Sequence, residues 1–343
     1  HLIERHNLRL LSVHPSRDPS GDKILLYAGH YAVLEHIPAS WSHGWSPPAQ
    51  AWGIKEARSP ASVDKPEETC IREEGQARGK LPGPIEWCAT GFEDAWERVE
   101  DLDSNVNEVL IPAGSNEASI TIRVRDLRTL GPEASLNQEI IEWWLAFWKR
   151  HLNDLREEGL LTGKVWVANT YFYAKLTEGK QYNYTNVQRW TTSKKLQEKD
   201  VFEYDQLLIP IHIPNEECAR LNHWILACIR MSDREICFFD SVNGRHMGIY
   251  RNLVRWLGDE YADKKGKAFT SGNGWVCKHI RVPQQENDYD CGLFLCVFAA
   301  YQSINRKCDF EQKDITRFRT WLTGKILESS QSAGAIETAT GPA

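Results

Sequence analysis

Apolar residues recur from about residue 118 onward with spacings that predict alternating strands and helices. Apolar positions at helical spacing predict amphipathic helices over 136–152, 187–197, 248–261, 291–304 and 314–327. Short apolar runs bounded by turn residues predict strands over 120–124, 164–169, 207–213, 224–230, 235–239 and 275–282. Helices that pack at both ends of a mostly antiparallel sheet give an α+β fold.

The change in pattern also predicts how the chain divides. We expect a poorly defined amino-terminal extension (1–58), a linker (59–117), the main domain (118–329) and a flexible tail (330–343). The extension carries Trp41, Trp45 and Trp52, which we expect to pack on the main domain rather than on a partner. An acidic stretch over 90–102 predicts one short helix. The first residue is His1, so we interpret the chain as a fragment whose targeting signal is not visible.

Charge and composition narrow the class of protein. The net charge is −6, with 41 basic and 47 acidic residues, which does not indicate a nucleic-acid partner. No run of 18 apolar residues is present, so no membrane span is expected. Nine cysteines without regular spacing indicate neither a zinc site nor a disulfide scaffold, and favour a reducing compartment. We expect no metal and no organic cofactor, and a monomer.

The most informative stretch is the run from Val282 to Cys296, which places Cys291 between a polar turn and an apolar helix. At a helix start, unpaired backbone N–H groups and the positive end of the macrodipole favour thiolate over thiol. Gly292 removes a Cβ where a backbone or a substrate comes close. Gln285, six residues upstream, supplies a neutral side-chain donor. This pattern is typical of a nucleophile with a preformed oxyanion site.

Other cysteines have a simpler interpretation. Cysteines within apolar patterns are usually small buried hydrophobic residues. We expect this role for Cys218, Cys228, Cys237 and Cys296.

A thiolate nucleophile needs a base and an orienting group, and His223 and Asp240 fit these roles. His223 opens one apolar strand, and Asp240 follows the next strand seventeen residues later. Two neighbouring strands joined by a turn bring such residues to adjacent strand ends. His212 belongs to the preceding strand, so we do not expect it to act as the base.

The chain order His, Asp, Gln, Cys and the local sequences resemble the Ulp/SENP family of ubiquitin-like-protein proteases. The resemblance covers about residues 118–329 and rests on His223-Trp224, Asp240, Pro283-Gln284-Gln285 and Asp290-Cys291-Gly292. It implies a papain-like fold and a cysteine protease or isopeptidase that cleaves after the C-terminal glycine of a modifier, with SUMO as the first candidate. It also implies an intracellular location, the nucleus or the cytoplasm. The family spacing selects Gln285 over Gln284 for the oxyanion.

The resemblance also implies substrate contacts, and here the chain departs from the family. Trp224 is carried over as one wall of a channel for the Gly-Gly tail, and Phe172 as a further contact in an upstream family segment. Where the family has Trp-Leu-Asn-Asp, this chain has Ser135-Leu136-Asn137-Gln138. Ser135 therefore replaces the tryptophan that forms the second wall of this channel in the family, and Gln138 replaces the family's acidic residue.

These departures leave the identity of the modifier open. The alternatives are the same thiol chemistry on a Nedd-type modifier or on a viral- or transposon-type polyprotein. Acyl transfer is a further alternative, but a patch for the activating cofactor is not found. A modifier-binding pseudoprotease predicts the loss of Cys291, His223 or Asp240, and all three are present.

Overall fold

The structure is a computed structural model, and the chain divides into two compact units, His1–Glu68 and Thr69–Ala343. Side chains are described for residues 84, 86, 88, 91–102, 105–113, 120–192, 200–214, 222–267, 269 and 274–331, and the backbone alone for 10–17, 23–27, 87 and 332–339. In the first unit, β1 (Leu10–Arg17) pairs antiparallel with β2 (Lys23–Tyr27). The three extension tryptophans, most of the predicted linker and Cys218 lie outside the described residues.

The second unit contains the regular pattern that the sequence predicts. Its strands are β3 (Val109–Ile111), β4 (Ile122–Arg123), β5 (Val165–Val167), β6 (Gln206–Ile213), β7 (His223–Arg230), β8 (Glu235–Phe239) and β9 (Val276–His279). Its α-helices are α1 (Ala95–Glu100), α2 (Val124–Leu127), α3 (Gln138–Glu157), α4 (Tyr171–Leu176), α5 (Met247–Lys265), α6 (Cys291–Ser303) and α7 (Gln312–Ala339). None of the helices in the described part of the chain is long and apolar enough to cross a membrane.

The central sheet has the order β5-β6-β7-β8-β9. Its inner strands β6, β7 and β8 are antiparallel, whereas both edge strands pair in parallel with their neighbours. The sheet is therefore mixed, with an antiparallel centre and two parallel edges. The parallel edges arise because β5 and β9 are joined to the sheet by long connections that contain helices, and such connections return a strand in the same direction.

Side chains alternate between the two faces of this sheet with a period of two, as strand geometry requires. On β7, Leu226 and Cys228 belong to one core with α3, α6 and α7. Ile225 and Ala227 belong to a second core with α4 and α5. Both faces are thus covered by helices, which confirms the α+β prediction. Cys228, Cys237 and Cys296 are buried as expected.

Helix α3 forms where the apolar stripe predicts it. Its N-cap is Asn137, whose side chain accepts from the backbone N–H of Ile140 at 3.2 Å. The stripe is buried as predicted: Ile140, Ile141, Trp144, Leu145 and Trp148. Two indole N–H groups fasten α3 to α6: Trp144 Nε1 donates to the Cys296 carbonyl oxygen at 3.2 Å, and Trp148 Nε1 donates to Ser303 Oγ at 2.8 Å.

Three predicted elements differ clearly from the structure, and one of them is the strand predicted over 275–282, which shortens to β9 (Val276–His279). The strand predicted over 120–124 shortens to β4, because Asp126 Oδ2 accepts from the Arg123 backbone N–H and starts a helical turn at Val124. The helix predicted over 187–197 is absent from its described part, 187–192, where a 3₁₀ turn forms instead. The indole of Trp190 packs on Phe172 with ring centroids 6.1 Å apart, so its inward position is confirmed without the helix.

A buried ion pair fixes α6 to α7. Arg319 Nη2 donates to Asp290 Oδ1 at 2.6 Å, and Asp290 is the residue immediately before α6. Gln312 Nε2 and Asn287 Nδ2 donate to the other carboxylate oxygen at 2.6 and 2.8 Å. Arg319 Nη1 also donates to the carbonyl oxygen of Gly131 at 2.9 Å. These contacts fix the position at which α6 begins.

We expect the substitution Arg319→Met to lower the free energy of unfolding by about 3–5 kcal/mol, because it leaves the buried Asp290 carboxylate without its cation. Arg317→Met on the same helix is the matched control. Arg317 is half exposed and its ion pair with Asp314 is long, at 3.6 Å, so this change should cost less than about 1 kcal/mol. Urea denaturation of both variants measures the difference. Equal losses would show that the Asp290 pair does not stabilise the fold.

Candidate active site

The predicted base and its orienting group lie side by side in the structure. His223 opens β7, Asp240 follows β8, and the two strands are neighbours. His223 Nε2 lies 2.6 Å from Asp240 Oδ1. Because an ionised carboxylate only accepts hydrogen bonds, Nε2 carries the proton and Nδ1 is left as the nitrogen that serves the thiol.

The Asp240 carboxylate is buried and accepts four hydrogen bonds. Its Oδ1 accepts from His223 and from the Val242 backbone N–H at 2.9 Å. Its Oδ2 accepts from the Gly244 backbone N–H at 2.7 Å and from His246 Nε2 at 2.8 Å. Burial alone raises the pKa of this carboxyl, but the hydrogen bonds from the two imidazoles and the backbone hold the pKa well below its usual range. Asp240 is therefore ionised across the physiological range.

Cys291 is the first residue of α6. Its thiol interacts with the same His223 imidazole that is bonded to Asp240. Its Sγ is 3.9 Å from the carbonyl oxygen of Asn222, the residue before His223, and Cys291 is only 3% exposed. Burial lowers the pKa of His223, but the hydrogen bonds to Asp240 and Cys291 outweigh it and raise the pKa to about 9. An imidazole with this pKa takes and holds a proton beside the thiol near neutral pH.

Gln285 is held in place at both ends of its amide. Ser241 Oγ donates to Oε1 at 2.6 Å, and Nε2 donates to the Asn287 carbonyl oxygen at 2.6 Å. The backbone N–H of Gln285 donates to the Ser241 carbonyl oxygen at 2.9 Å. Its neighbour Gln284 is exposed and donates to the backbone carbonyl of Asp240 at 3.0 Å. The oxyanion role of Gln285 stays a prediction.

The segment before α3 lies against the start of α6. A Cβ on Gly292 would meet Leu136 Cβ at 3.0 Å, so the missing side chain makes room for Leu136. Ser135, directly before Leu136, is exposed. Gln138 is part-buried, and its Nε2 donates to Thr170 Oγ1 at 2.6 Å. The substrate contacts of Ser135 and Gln138 stay predictions.

Trp224 and His212 form a pair on the two strands β7 and β6. The two residues are partners across the strands, and their ring centroids are 4.7 Å apart. Trp224 is buried at 6% exposure. Burial and the neighbouring His223 lower the pKa of His212. His212 therefore packs on an indole, which agrees with its exclusion as the base, and the tail contact of Trp224 stays a prediction.

Phe172 does not reach the site. It is fully buried at 0% exposure in the second core, with its ring 5.0 Å from Trp256 and 5.5 Å from Trp166. The expectation that it contacts substrate is corrected, because a side chain packed between two indoles is not accessible. Its role is to hold α4 against the sheet.

Four residues around the site carry roles that the sequence reasoning missed: His246, Ser241, Asp290 and Arg319. His246 follows a tight turn in which Asn243 has a φ of 56°. The backbone N–H of Asn243 donates to the Asp240 carbonyl oxygen at 3.2 Å. The Asn-Gly pair at 243–244 is a turn signal that indicates such a reversal after Asp240. Asp290 and Arg319 give no local signal, because they meet only through tertiary contact.

The arrangement has the parts that acyl transfer through a thiol requires. Thiol, imidazole and carboxylate are in series, the carboxylate is ionised, and the imidazole has a raised pKa. Among the described residues, no group of three or more His, Cys, Asp or Glu side chains is arranged to hold a metal ion.

The family and the relatives of the chain are consistent with this geometry. Residues 134–333 match the Ulp1 protease family, C-terminal catalytic domain. Ubiquitin-like-specific protease ESD4 of Arabidopsis thaliana is 32% identical over 236 residues, which are 68% of this chain and 46% of that protein. The putative ubiquitin-like-specific protease 1B of Arabidopsis thaliana is 31% identical over 250 residues, 71% of this chain and 70% of that protein.

A solved structure provides a further comparison. The C-terminal Ulp1 protease domain in complex with Smt3, the yeast ortholog of SUMO, aligns with a TM-score of 0.53 and 28% identity, over 69% of this chain and 96% of that chain. The chain spans less than half the length of ESD4.

We expect iodoacetamide at pH 7 to label Cys291 before the other described cysteines. Burial raises the pKa of those six thiols, which are Cys88, Cys228, Cys237, Cys277, Cys296 and Cys308. His223→Ala should slow labelling of Cys291 roughly tenfold, because an unassisted thiol is only a few per cent thiolate at this pH.

Peptide mass spectrometry of time points measures this labelling. His212→Ala is the control, since it removes a similar side chain on the neighbouring strand and should leave the labelling rate unchanged. An equal effect of both substitutions would contradict the assignment of His223.

Proposed function

The chain belongs to the Ulp1 protease family, and on that premise we propose that it is a cysteine protease that cleaves after the C-terminal glycine of a small ubiquitin-like modifier, SUMO. The observation that carries the proposal is the 2.6 Å hydrogen bond between Asp240 and the same imidazole that Cys291 contacts. The choice of SUMO is supported by the structural relative, whose bound partner is the yeast ortholog of SUMO.

In the proposed reaction, Cys291 Sγ attacks the carbonyl carbon of the modifier's last glycine. His223 Nδ1 takes the thiol proton and passes it to the leaving amine as the C–N bond breaks. A water molecule then attacks the thioester carbonyl while His223 takes its proton. The C–S bond breaks, the modifier leaves with a free C-terminal carboxyl group, and His223 returns the proton to the sulfur. Asp240 accepts from Nε2–H throughout, which keeps the imidazole in the required tautomer and stabilises its protonated form.

The oxyanion is held by two donors in this proposal. One is the backbone N–H of Cys291 at the start of α6, where helix geometry leaves N–H groups unpaired. The other is Gln285 Nε2, which gives one of its two hydrogens to Asn287 and has a second for the oxyanion. Ser241 fixes the direction of this amide by donating to its oxygen. Preorganised donors of this kind stabilise the transition state more than the ground state.

Trp224 and Ser135 border the path of the modifier's tail in this proposal. Ser135 precedes Leu136, whose side chain touches the Gly292 position next to the thiol. Trp224 follows the base directly. One indole and one hydroxymethyl group enclose two glycines less completely than two indoles do, so the reacting carbonyl is less shielded from water.

The proposal also covers the cellular location of the enzyme and its binding partners. A catalytic thiol needs a reducing compartment, and the described cysteines are free thiols, which supports an intracellular location in the nucleus or the cytoplasm. The expected partners are SUMO and its conjugates, bound by a monomer.

A panel of modifiers that each carry a C-terminal electrophile tests this function. The SUMO probe should form a covalent adduct at the wild-type thiol, and Cys291→Ala should abolish the adduct. Cys277→Ala is the matched control, because Cys277 is a part-exposed thiol on β9 and should not affect capture. Capture only by a Nedd-type or ubiquitin probe would overturn SUMO as the substrate, and capture by none would overturn the protease assignment.

We expect Ser135→Trp to raise kcat/KM on a SUMO precursor. A second indole face against the Gly-Gly tail contributes about 1–2 kcal/mol of apolar contact, or roughly 5- to 30-fold. Ser232→Trp serves as the control, because Ser232 is an exposed serine in the turn between β7 and β8, at the opposite end of β7 from His223. Steady-state cleavage assays measure both. An unchanged or lower kcat/KM for Ser135→Trp would contradict the open-channel interpretation.

A further inference from the structure

Asp240 binds a second imidazole besides that of the base. Each of its oxygens accepts one imidazole N–H and one backbone N–H: Oδ1 from His223 and Val242, and Oδ2 from His246 and Gly244. His246 is 9% exposed, so its hydrogen bond to Asp240 is shielded from water. Charge-assisted hydrogen bonds in such surroundings are stronger than neutral ones in water.

The local backbone is shaped to make this contact. A Cβ on Gly244 would meet Asp240 Oδ2 at 2.6 Å and His246 Cε1 at 3.0 Å, so only glycine leaves room for the carboxylate and the imidazole together. The preceding Asn243 supplies the left-handed residue of the turn. The turn therefore brings a side chain from the start of α5 back to the residue that follows β8.

His246 is itself held in place by a third histidine. Its backbone N–H donates to His279 Nε2 on β9 at 3.0 Å, so His279 is unprotonated at that atom. Burial and the neighbouring His246 and Arg245 lower the pKa of His279, which agrees with this neutral state. The rings of His246 and His279 pack on Phe238 with centroids 5.4 and 5.5 Å away.

We propose that His246 is a positioning residue for the reaction: its Nε2–H fixes the rotation of the Asp240 carboxylate so that Oδ1 stays on the His223 imidazole. This proposal rests on the proposed function, since it adds a positioning side chain to the reaction described there. Without the His246 bond, Oδ2 keeps a single backbone donor and the carboxylate can turn away from His223. The protonated imidazole then loses part of its stabilisation, and with it the neighbouring thiolate.

The charged and titratable groups that face His246 are few in the described structure. They are Asp240 after β8, His279 on β9 and the adjacent Arg245. Of these, only the carboxylate accepts from the His246 side chain, so the effect of His246 is transmitted through Asp240.

The substitutions His246→Leu and His246→Gln, made in the full chain, test the proposal. Leu keeps the apolar contact with Phe238 and removes the donor, whereas Gln restores an Nε2–H. We expect His246→Leu to lower kcat on a SUMO precursor about 10- to 100-fold with KM unchanged, as the loss of one charge-assisted hydrogen bond implies. His246→Gln should recover most of the rate.

A second readout does not depend on the substrate. The pH at which iodoacetamide begins to label Cys291 should move upward in His246→Leu, by less than in His223→Ala, because an imidazole that is held less firmly stabilises the thiolate less. His151→Leu on α3, where the ring packs on Trp148, is the matched control and should move neither quantity. Thermal unfolding of all variants shows whether they are folded.

The outcomes separate this inference from the proposed function. An unchanged labelling profile together with an unchanged kcat in a folded His246→Leu protein would overturn the positioning role. If Gln and Leu variants lose activity equally, the Nε2–H is not what matters, and the proposal is again overturned. If the wild-type protein cleaves no precursor, the proposed substrate is wrong, and the labelling profile still decides the role of His246.

Discussion

The hydrogen bond between His223 and Asp240 depends on the register of two antiparallel strands. Leu226 on β7 pairs with Phe239 on β8, and from this pair His223 lies three residues back and Asp240 one residue on. His223 is two residues from Ile225 and Asp240 is two residues from Phe238, so both lie on the face of the sheet that carries Ile225 and Phe238. A shift of one residue would place them on opposite faces of the sheet. Burial of both faces excludes that shift, so the two cores of the domain hold the catalytic hydrogen bond in place.

The thiol depends on a different set of forces. Every residue of α6 is buried, so the helix cannot slide or turn without exposing apolar surface. Its first residue is located by the Asp290–Arg319 ion pair, and Gly292 lets Leu136 approach closely. The position of the imidazole is thus fixed by the sheet, and the position of the thiol is fixed by the helices. The candidate active site lies where the central sheet meets these helices.

Much of this arrangement is visible in the sequence. The strands β6, β7 and β8 agree with their predicted limits to within one residue, because buried strands bounded by turns give clear apolar runs. The sequence predicts Cys291, His223 and Asp240 as nucleophile, base and orienting acid because each stands at one end of such a run. The short helix α4 was missed, since six residues give too little periodicity.

The network around the site was not predictable in the same way. Asp290 and Arg319 act through a contact between elements that are distant in the sequence, and a single sequence carries no record of such a contact. The Asn-Gly pair before His246 indicated a turn, but not what the turn brings together. Phe172 shows the opposite error, because an aromatic residue in a familiar segment was assigned to the surface although it belongs to the core.

The order of the elements along the chain has a consequence for synthesis on the ribosome. β7 and β8 are joined by a short turn, so the base and its acid are both translated within one hairpin, before α5, β9 and α6. The cysteine emerges only after α5 and β9, and the arginine that anchors its helix lies on α7, the last helix of the domain. A nascent chain therefore cannot assemble a reactive thiol until nearly the whole domain has been translated. The nucleophile is the last part of the site to be made and the last to be locked in place.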